Sequence, residues 1–254
     1  MKINRGIDQT SFGRIKPQLY DKIYELTKYH NGYEPDSKII NVIKDTFISP
    51  AKTKIADIGA GDGRNALPLA HLCYNIDAFE ISKSGREIIK DKAKDIKNLK
   101  VSEKDILDTP FKKAYDAIFM SHVTQHFKDT DMVKIFQNIS DGLKQGGLFI
   151  FDALLDKPNV SLYGDEALIF LKKHNFDIDK LSVDDALLGQ SHFKKTFIEE
   201  ISKKNNLNIL SIEDFNERPE SFGDYYKENE EWGMGRPSLL VRNVDLKWLT
   251  LKKV

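Results

Sequence analysis

The 254-residue sequence is poor in cysteine and has no long uninterrupted hydrophobic run. The single cysteine, Cys73, excludes an internal disulfide and a cysteine-based zinc cluster. No stretch approaches the roughly 18 apolar residues that a membrane-spanning helix needs, and the first ten residues lack the apolar core of a signal peptide. These absences predict a soluble, cytoplasmic protein without a membrane partner.

An excess of charge of either sign is also missing, because 39 lysine and arginine residues balance 39 aspartate and glutamate residues. The sequence therefore shows no overall electrostatic attraction to nucleic acids or to anionic membranes. A hydrophobic share of 40% at this length is sufficient for one large α/β domain with added segments.

Apolar strand patterns alternate with amphipathic helical patterns from residue 54 onward. The predicted strands are residues 54–58, 76–80, 99–102, 116–121, 148–151 and 209–212, and the predicted helices are residues 66–72, 82–96, 132–143 and 196–205. Apolar strands separated by helices predict a parallel sheet covered on both faces. Residues 246–251 alternate between apolar and polar side chains, which predicts an antiparallel last strand. Two further helices are predicted before residue 50, and Asp36 is suited to cap the second.

A glycine-rich loop follows the first strand and precedes a helix. Residues 56–65 read Ala-Asp-Ile-Gly-Ala-Gly-Asp-Gly-Arg-Asn. Gly59, Gly61 and Gly63 allow sharp backbone turns and let a ligand approach without a Cβ in the way. A dinucleotide-binding loop would have glycine where Arg64 stands, and the Lys-Ser/Thr pair of a phosphate-binding loop is absent.

Carboxylates accompany this loop and the two strands that follow. Asp57 and Asp62 disfavour a pyrophosphate and favour a ligand with an ammonium or sulfonium group. Glu80 ends the second strand, 17 residues after Gly63 (80 − 63). At that position it could accept hydrogen bonds from both hydroxyls of a ribose. The alternative for Glu80 is an exposed acid at a strand end.

The third strand is followed by Asp105 and Ile106. Asp105 could accept a hydrogen bond from the exocyclic amine of adenine, and Ile106 could pack against the base. The alternative for this pair is a turn-forming acid and a core isoleucine.

Together these motifs resemble the class I S-adenosylmethionine-dependent methyltransferases. The resemblance rests on the loop, Glu80, Asp105-Ile106 and the Gly-Leu-Lys-Gln-Gly-Gly segment at residues 142–147. Residues 61–70 are similar to the branch that contains tellurite-resistance and other small-molecule methyltransferases. The resemblance implies a Rossmann-like sheet of seven strands, mostly parallel with an antiparallel last strand, and S-adenosylmethionine as the cofactor.

The resemblance also implies roles for particular residues. Glycines of the loop would line the methionine and ribose part of the cofactor, and Asp57 would lie near the methionine ammonium. The predicted cofactor-binding residues are Asp57, Gly59, Gly61, Gly63, Glu80, Asp105, Ile106, Ser121 and His122. The predicted organisation is an N-terminal helical lid at residues 1–35 and a methyltransferase domain at residues 36–254. Within that domain, residues 153–192 and 216–243 are expected to form substrate-side insertions.

His122 follows the fourth strand and is the candidate catalytic residue, as a general base near neutral pH. Its alternative role is a wall residue that is hydrogen-bonded to the backbone. A packing or capping role is expected for His126. The other histidines lack the spacing of metal ligands, so no metal site is expected.

These features predict methyl transfer to a small-molecule acceptor by in-line displacement. Residues 121–124, Ser-His-Val-Thr, replace the Asn/Asp-Pro-Pro-aromatic motif of base-methylating relatives, so no nucleic-acid partner is expected. A protein methyltransferase and a catalytically silent cofactor-binding subunit remain as alternatives. A dinucleotide-dependent oxidoreductase is disfavoured by Arg64 and the acidic loop.

Overall fold

The computed structural model describes residues 20–21, 24–25, 34–108, 110–156, 191–214 and 246–254. Most of the two expected insertions, residues 153–192 and 216–243, lie outside these ranges, as does most of the expected lid at residues 1–35.

Eight strands and five α-helices make up most of the described residues. The strands are β1 (Lys54–Ile58), β2 (Asn75–Phe79), β3 (Leu99–Ser102), β4 (Tyr115–Met120), β5 (Leu143–Leu155), β6 (His192–Phe193), β7 (Leu207–Asp214) and β8 (Leu246–Lys253). The helices are α1 (Ser37–Thr46), α2 (Ala66–His71), α3 (Lys83–Lys92), α4 (Asp129–Gly142) and α5 (Lys195–Lys204). Short 3-10 helices occupy Pro50–Lys52 and Thr124–His126.

The strands form one sheet in the order β3-β2-β1-β4-β5-β8-β7, with β6 paired to β5. Neighbouring strands from β3 to β5 run parallel, whereas β8 runs antiparallel to both β5 and β7. The predicted Rossmann-like α/β fold with an antiparallel last strand is therefore confirmed. The two-residue strand β6 was not predicted, because so short a segment carries no periodic pattern.

Two hydrophobic clusters show that helices cover both faces of the sheet. Successive side chains of a strand point to opposite faces. In β4, Ile118 and Met120 accordingly pack in the cluster that contains α4 and α5, whereas Ala117 and Phe119 pack with α1, α2 and α3. The same alternation divides β5, which explains why its sequence reads as a continuous apolar run.

Strand β5 is longer at both ends than the sequence predicted. It begins at Leu143, directly after α4, and pairs there with Tyr115 before the register shifts. Gly146 has a φ of +78° and lies within this irregular start of the strand. At the other end β5 continues to Leu155, within the range predicted as an insertion.

Candidate functional site

The carboxyl ends of β2, β1, β4 and β5 lie side by side at one edge of the sheet. In open α/β sheets, ligands bind in the crevice outside these ends. All nine predicted site residues lie at or after the carboxyl ends of β1 to β4: Asp57, Gly59, Gly61, Gly63, Glu80, Asp105, Ile106, Ser121 and His122. The topology thus brings them to the same edge.

The loop after β1 turns in the left-handed region at each of its three glycines. The φ angles of Gly59, Gly61 and Gly63 are +72°, +59° and +86°. A Cβ on Gly59 would lie 2.6 Å from Cγ2 of Val123, and a Cβ on Gly61 would lie 2.6 Å from the hydroxyl oxygen of Tyr24. The loop therefore needs glycine both for its backbone conformation and for its close neighbours.

Glu80 follows β2 and is buried beneath this loop, with 5% of its surface exposed. Its Oε2 accepts a hydrogen bond from the N–H of Gly61, and its Oε1 accepts one from the N–H of Ser82, both at 2.7 Å. Burial raises the pKa of Glu80 to about 7, although these hydrogen bonds oppose the shift. The N–H of Ile81 is a third backbone donor to this carboxylate. Because the two oxygens together can accept roughly four hydrogen bonds, an acceptor position remains for a ligand. The alternative of an exposed strand-end acid is therefore wrong.

Asp57 lies on β1 and is also buried, with 3% exposed. Within the described ranges, no hydrogen-bond donor contacts its carboxylate. Burial, together with the charge of Glu80, raises the pKa of Asp57 well above its usual value. Asp62 differs, because Nζ of Lys92 lies 3.5 Å from its Oδ2. Asp57 and Asp62 are the two acids predicted to attract a positive ligand. Within the described ranges, Asp62 has a basic side chain beside its carboxylate and Asp57 has none in contact.

The segment after β3 forms a compact turn. Oδ1 of Asp105 accepts a hydrogen bond from the N–H of Leu107 at 2.8 Å, and Ile106 is 4% exposed in the core cluster with Phe79 and Phe111. These contacts are those of a turn-forming acid and a core isoleucine. The adenine-binding role of both residues stays a prediction.

Asp36 forms a buried network that the sequence did not predict. It occupies the N-cap position of α1, but its side chain makes no capping hydrogen bond. Instead the carboxylate accepts from both terminal nitrogens of Arg64, at 2.9 and 2.7 Å, from Nδ2 of Asn65 and from the hydroxyl of Ser121. Burial alone would raise the pKa of Asp36, but Arg64 and the hydrogen bonds outweigh it and lower the pKa. The expected capping role is thus replaced by a link between α1, the glycine loop and β4.

His122 and Asp152 meet at the carboxyl ends of β4 and β5. The N–H of His122 lies 2.9 Å from each carboxylate oxygen of Asp152, and its Nδ1 lies 3.3 Å from Oδ2. Asp152 is fully buried, and burial raises its pKa to about 6 while the charge of His122 opposes the shift. The sequence analysis missed Asp152, although an acid directly after the apolar run at residues 148–151 repeats the signal that identified Glu80.

Three helical residues of the N-terminal segment contact the same edge: Tyr20, Asp21 and Tyr24. The hydroxyl of Tyr20 lies 2.9 Å from Nε2 of His126. Oδ1 of Asp21 accepts hydrogen bonds from the hydroxyl of Ser82 and the N–H of Ser84, at the start of α3. With Tyr24 over Gly61, these contacts place a helical turn on the glycine loop.

None of the helices in the described ranges has the length and hydrophobicity of a membrane span. In the same ranges, no group of three or more histidine, cysteine, aspartate or glutamate residues is arranged to hold a metal ion.

Residues 56–151 match the model of a methyltransferase-domain family. The matched range runs from β1 to β5 and contains the glycine loop, Glu80 and His122. The match and the strand order support a class I S-adenosylmethionine-dependent methyltransferase. The cofactor of this class is S-adenosylmethionine.

Two curated relatives come from two strains of Haemophilus influenzae, and each is called "Probable S-adenosyl-L-methionine-dependent methyltransferase TehB". Each is 25% identical to this chain over 146 residues, which are 57% of this chain and 48% of the relative. The alignment thus spans about half the length of these relatives.

Several solved structures share the fold. The [4+2]-cyclase SpnF superposes with a TM-score of 0.66 at 16% identity, covering 95% of this chain and 97% of its own. Phosphoethanolamine N-methyltransferase 2 from Haemonchus contortus, solved with S-adenosyl-L-methionine, gives 0.64 at 16% identity, covering 94% of this chain and 57% of its own. Magnesium protoporphyrin IX methyltransferase from Synechocystis superposes with a TM-score of 0.56 at 14% identity, covering 97% of this chain and 91% of its own. At these identities the likeness is one of fold.

Proposed function

We propose that this protein transfers a methyl group from S-adenosylmethionine to a small-molecule acceptor. The observation that carries the proposal is the buried Asp57 carboxylate, which has no bound donor among the described residues and lies beside a left-handed glycine loop. A buried carboxylate of this kind is costly unless a positive group pairs with it. The ammonium and sulfonium groups of the cofactor supply such charge.

The other residues of the edge fit the same cofactor. Glu80 keeps an acceptor position beyond its three backbone donors, which suits a ribose hydroxyl. The glycines in the left-handed region give the loop its sharp turns beside this carboxylate. Asp105 and Ile106 would hold the adenine, and Ser121 and His122 would border the methionine end. Bound there, the cofactor supplies an electrophilic methyl group on a sulfonium.

The chain's own contribution is to position the acceptor and to exclude water. Holding two reactants in line can lower a barrier by about 7–11 kcal/mol, so positioning can supply much of the rate enhancement. The hydroxyl of Tyr24 lies against Gly61, and the hydroxyl of Tyr20 lies against His126. Two of the structural neighbours are named for methylation of small molecules, which supports a small acceptor over a protein substrate.

Two alternatives stay open beside this proposal. The neighbour named as a [4+2]-cyclase has the same fold, so a chain that binds the cofactor without methyl transfer is a second candidate. The other alternative is methyl transfer to a protein acceptor. A cytoplasmic location belongs to the same proposal and is supported by the exposed, unpaired thiol of Cys73, since free thiols persist in reducing compartments.

Calorimetric titration with S-adenosylmethionine, S-adenosylhomocysteine and NAD tests the cofactor directly. We expect micromolar binding of the first two and none of NAD. Turnover is then measured as S-adenosylhomocysteine release with panels of small acceptors and of peptides. Binding with release only in the presence of peptides would favour the protein acceptor, and binding without release would favour the silent or cyclase-like alternative. Absence of cofactor binding would refute the proposal.

Replacing Glu80 with alanine is expected to weaken S-adenosylmethionine binding by about 1.5–3 kcal/mol, roughly 10- to 140-fold. The reason is that the buried carboxylate would accept charge-assisted hydrogen bonds from the ribose. Glu199→Ala is the control, because the Glu199 side chain is 49% exposed and pairs with Lys195 on α5. Equal affinities for the two variants would remove Glu80 from the cofactor site.

The affinity for S-adenosylmethionine is expected to rise with pH between 6 and 8. Burial raises the pKa of Glu80 to about 7, so part of the ligand-free protein carries the neutral acid at pH 6. The ionised form offers the better acceptors, and binding therefore releases a proton and favours higher pH, by at most tenfold per pH unit for one group. Calorimetry in buffers of different ionisation enthalpy measures this proton release. An affinity that is flat across this range would contradict the linkage.

A further inference from the structure

Arg86 lies at the end of the first turn of α3, where this helix packs directly against Glu80. Gly85 makes the close approach possible, because a Cβ at this position would lie 2.8 Å from the carbonyl oxygen of Gly61 and 3.1 Å from Cγ of Glu80. A side chain there would push the helix away from the strand end. The glycine therefore brings the next residue, Arg86, within reach of the chain that carries Glu80.

The guanidinium of Arg86 joins two segments at this edge of the sheet. Nη1 donates hydrogen bonds to the carbonyl oxygens of Glu80 and Ile81, at 2.9 and 2.7 Å. Nη2 donates to Oε2 of Glu103, which follows β3, at 2.6 Å. The Arg86 side chain is only 13% exposed. Its planar fork is needed for these bonds, since the single nitrogen of a lysine cannot span the same acceptors.

Glu80 is thus fixed through its backbone as well as through its carboxylate. Its N–H donates to the carbonyl oxygen of Ser102 at 3.1 Å, and its own carbonyl oxygen accepts from Arg86. The carboxylate accepts from the N–H groups of Gly61 and Ser82. Apart from Arg86, these partners all bond through their backbone groups. Arg86 is therefore the partner among them whose hydrogen bonds a substitution can remove.

Titratable and charged groups face Glu80 from three parts of the fold: Asp57 on β1, Tyr24 of the N-terminal segment and Arg86 on α3. Burial and then the charge of Glu80 raise the pKa of both Asp57 and Tyr24. Burial raises the pKa of Glu80 itself to about 7, and the charge of Arg86 opposes this shift. Arg86 also faces Asp21, whose pKa it helps to lower against burial. Of the three groups around Glu80, Arg86 alone carries a positive charge.

We infer that Arg86 is a positioning residue for Glu80 and holds its carboxylate where the cofactor ribose is proposed to bind. It acts through the backbone and the charge of Glu80 and not by contact with the ligand. The inference rests on the proposed cofactor site and adds to it a residue on α3, outside the glycine loop.

The first experiment needs no ligand and follows the titration of the Glu80 carboxyl by carbon-13 NMR on the full chain. Glu80→Gln identifies the signal. We expect Arg86→Gln to move the midpoint to higher pH, because a positive charge that favours the carboxylate is lost. Arg86→Lys keeps a positive charge and is expected to move the midpoint less. An unchanged midpoint in Arg86→Gln would overturn the inference.

Lys83→Gln is the matched control, because it removes a positive charge from the same helical turn. The Lys83 side chain is 74% exposed and pairs with Glu87. We expect this variant to leave the Glu80 midpoint and the affinity for the cofactor unchanged. A shift as large as that of Arg86→Gln would show a general effect of charge on α3 and would overturn the inference.

The second experiment is a double-mutant cycle, measured by calorimetric titration with S-adenosylhomocysteine at pH 7. We expect Arg86→Gln to raise Kd about 10-fold and Arg86→Lys to raise it by a smaller factor. In a Glu80→Ala background, the same substitutions are expected to change Kd by no more than about twofold, because the group on which they act is absent.

A residue that only stabilises the fold would weaken binding by the same factor in both backgrounds. Equal factors would therefore overturn the inference even though the ligand binds. Absence of binding by the wild type would instead refute the proposed function. The carboxyl titration would then still decide whether Arg86 acts on Glu80.

Discussion

Replacing Gly61 with arginine is expected to abolish detectable S-adenosylmethionine binding, a loss of at least about 1000-fold or about 4 kcal/mol. Gly61 has a φ of +59°, and a Cβ there would lie 2.6 Å from the hydroxyl oxygen of Tyr24. The substitution therefore strains the turn, displaces the covering helical turn and fills the space proposed for the cofactor. It also places a positive charge where a positive ligand is expected to bind.

Gly146→Arg is the matched control for this variant. Gly146 has a comparable φ of +78°, but the nearest atom to its Cβ position is Cε of Lys252 at 3.8 Å. It lies in the irregular start of β5, at the opposite end of the strand from Asp152. Both variants carry the same kind of backbone strain, so a difference in titration between them reflects the surroundings of Gly61, which include Tyr24. Undiminished binding by Gly61→Arg would refute the assignment of the loop.

Replacing Asp36 with alanine is expected to lower the free energy of unfolding by about 3–5 kcal/mol. The Arg64 side chain is 7% exposed, and the substitution leaves its charge buried without a partner. Asn65 and Ser121 lose an acceptor at the same time. Urea denaturation measures the loss.

Two further variants separate this buried network from a surface effect. Glu87→Ala removes an exposed partner of Lys83 on α3 and is expected to change stability little, since such pairs contribute little. Adding Arg64→Met to Asp36→Ala is expected to restore part of the lost stability, because the uncompensated charge is removed. A double variant less stable than Asp36→Ala would show that Arg64 stabilises the fold through other contacts.

The predictable part of this site comes from residues whose signal is local. The spacing within one loop identifies Gly59, Gly61 and Gly63. The position directly after a strand identifies Glu80. The sheet order was predictable because apolar runs and helices alternate along the chain. The contacts between these parts were not predictable, since the hydrogen bond between Ser121 and Asp36 joins residues 85 positions apart.

Asp36 and Asp152 show two reasons for the missed residues. Asp36 satisfies a common local pattern, the cap of a helix, and only the folded chain shows that its carboxylate faces Arg64 instead. Asp152 follows the predicted strand at residues 148–151 directly, but only the folded chain shows that its carboxylate meets the N–H of His122, 30 positions away. The extension of β5 to Leu155 depends on its pairing with β8 and β6, which no local pattern encodes.

The wide sequence separation within the buried network bears on the kinetics of folding. Asp36, Arg64 and Ser121 belong to different elements, and their contacts form only when β1 and β4 have paired and α1 has docked. A ligand that needs this assembled edge stabilises the native state and not the partly folded chain. We therefore expect bound cofactor to slow unfolding while leaving the refolding rate nearly unchanged. The concentration of cofactor would then determine the lifetime of the folded state before it unfolds.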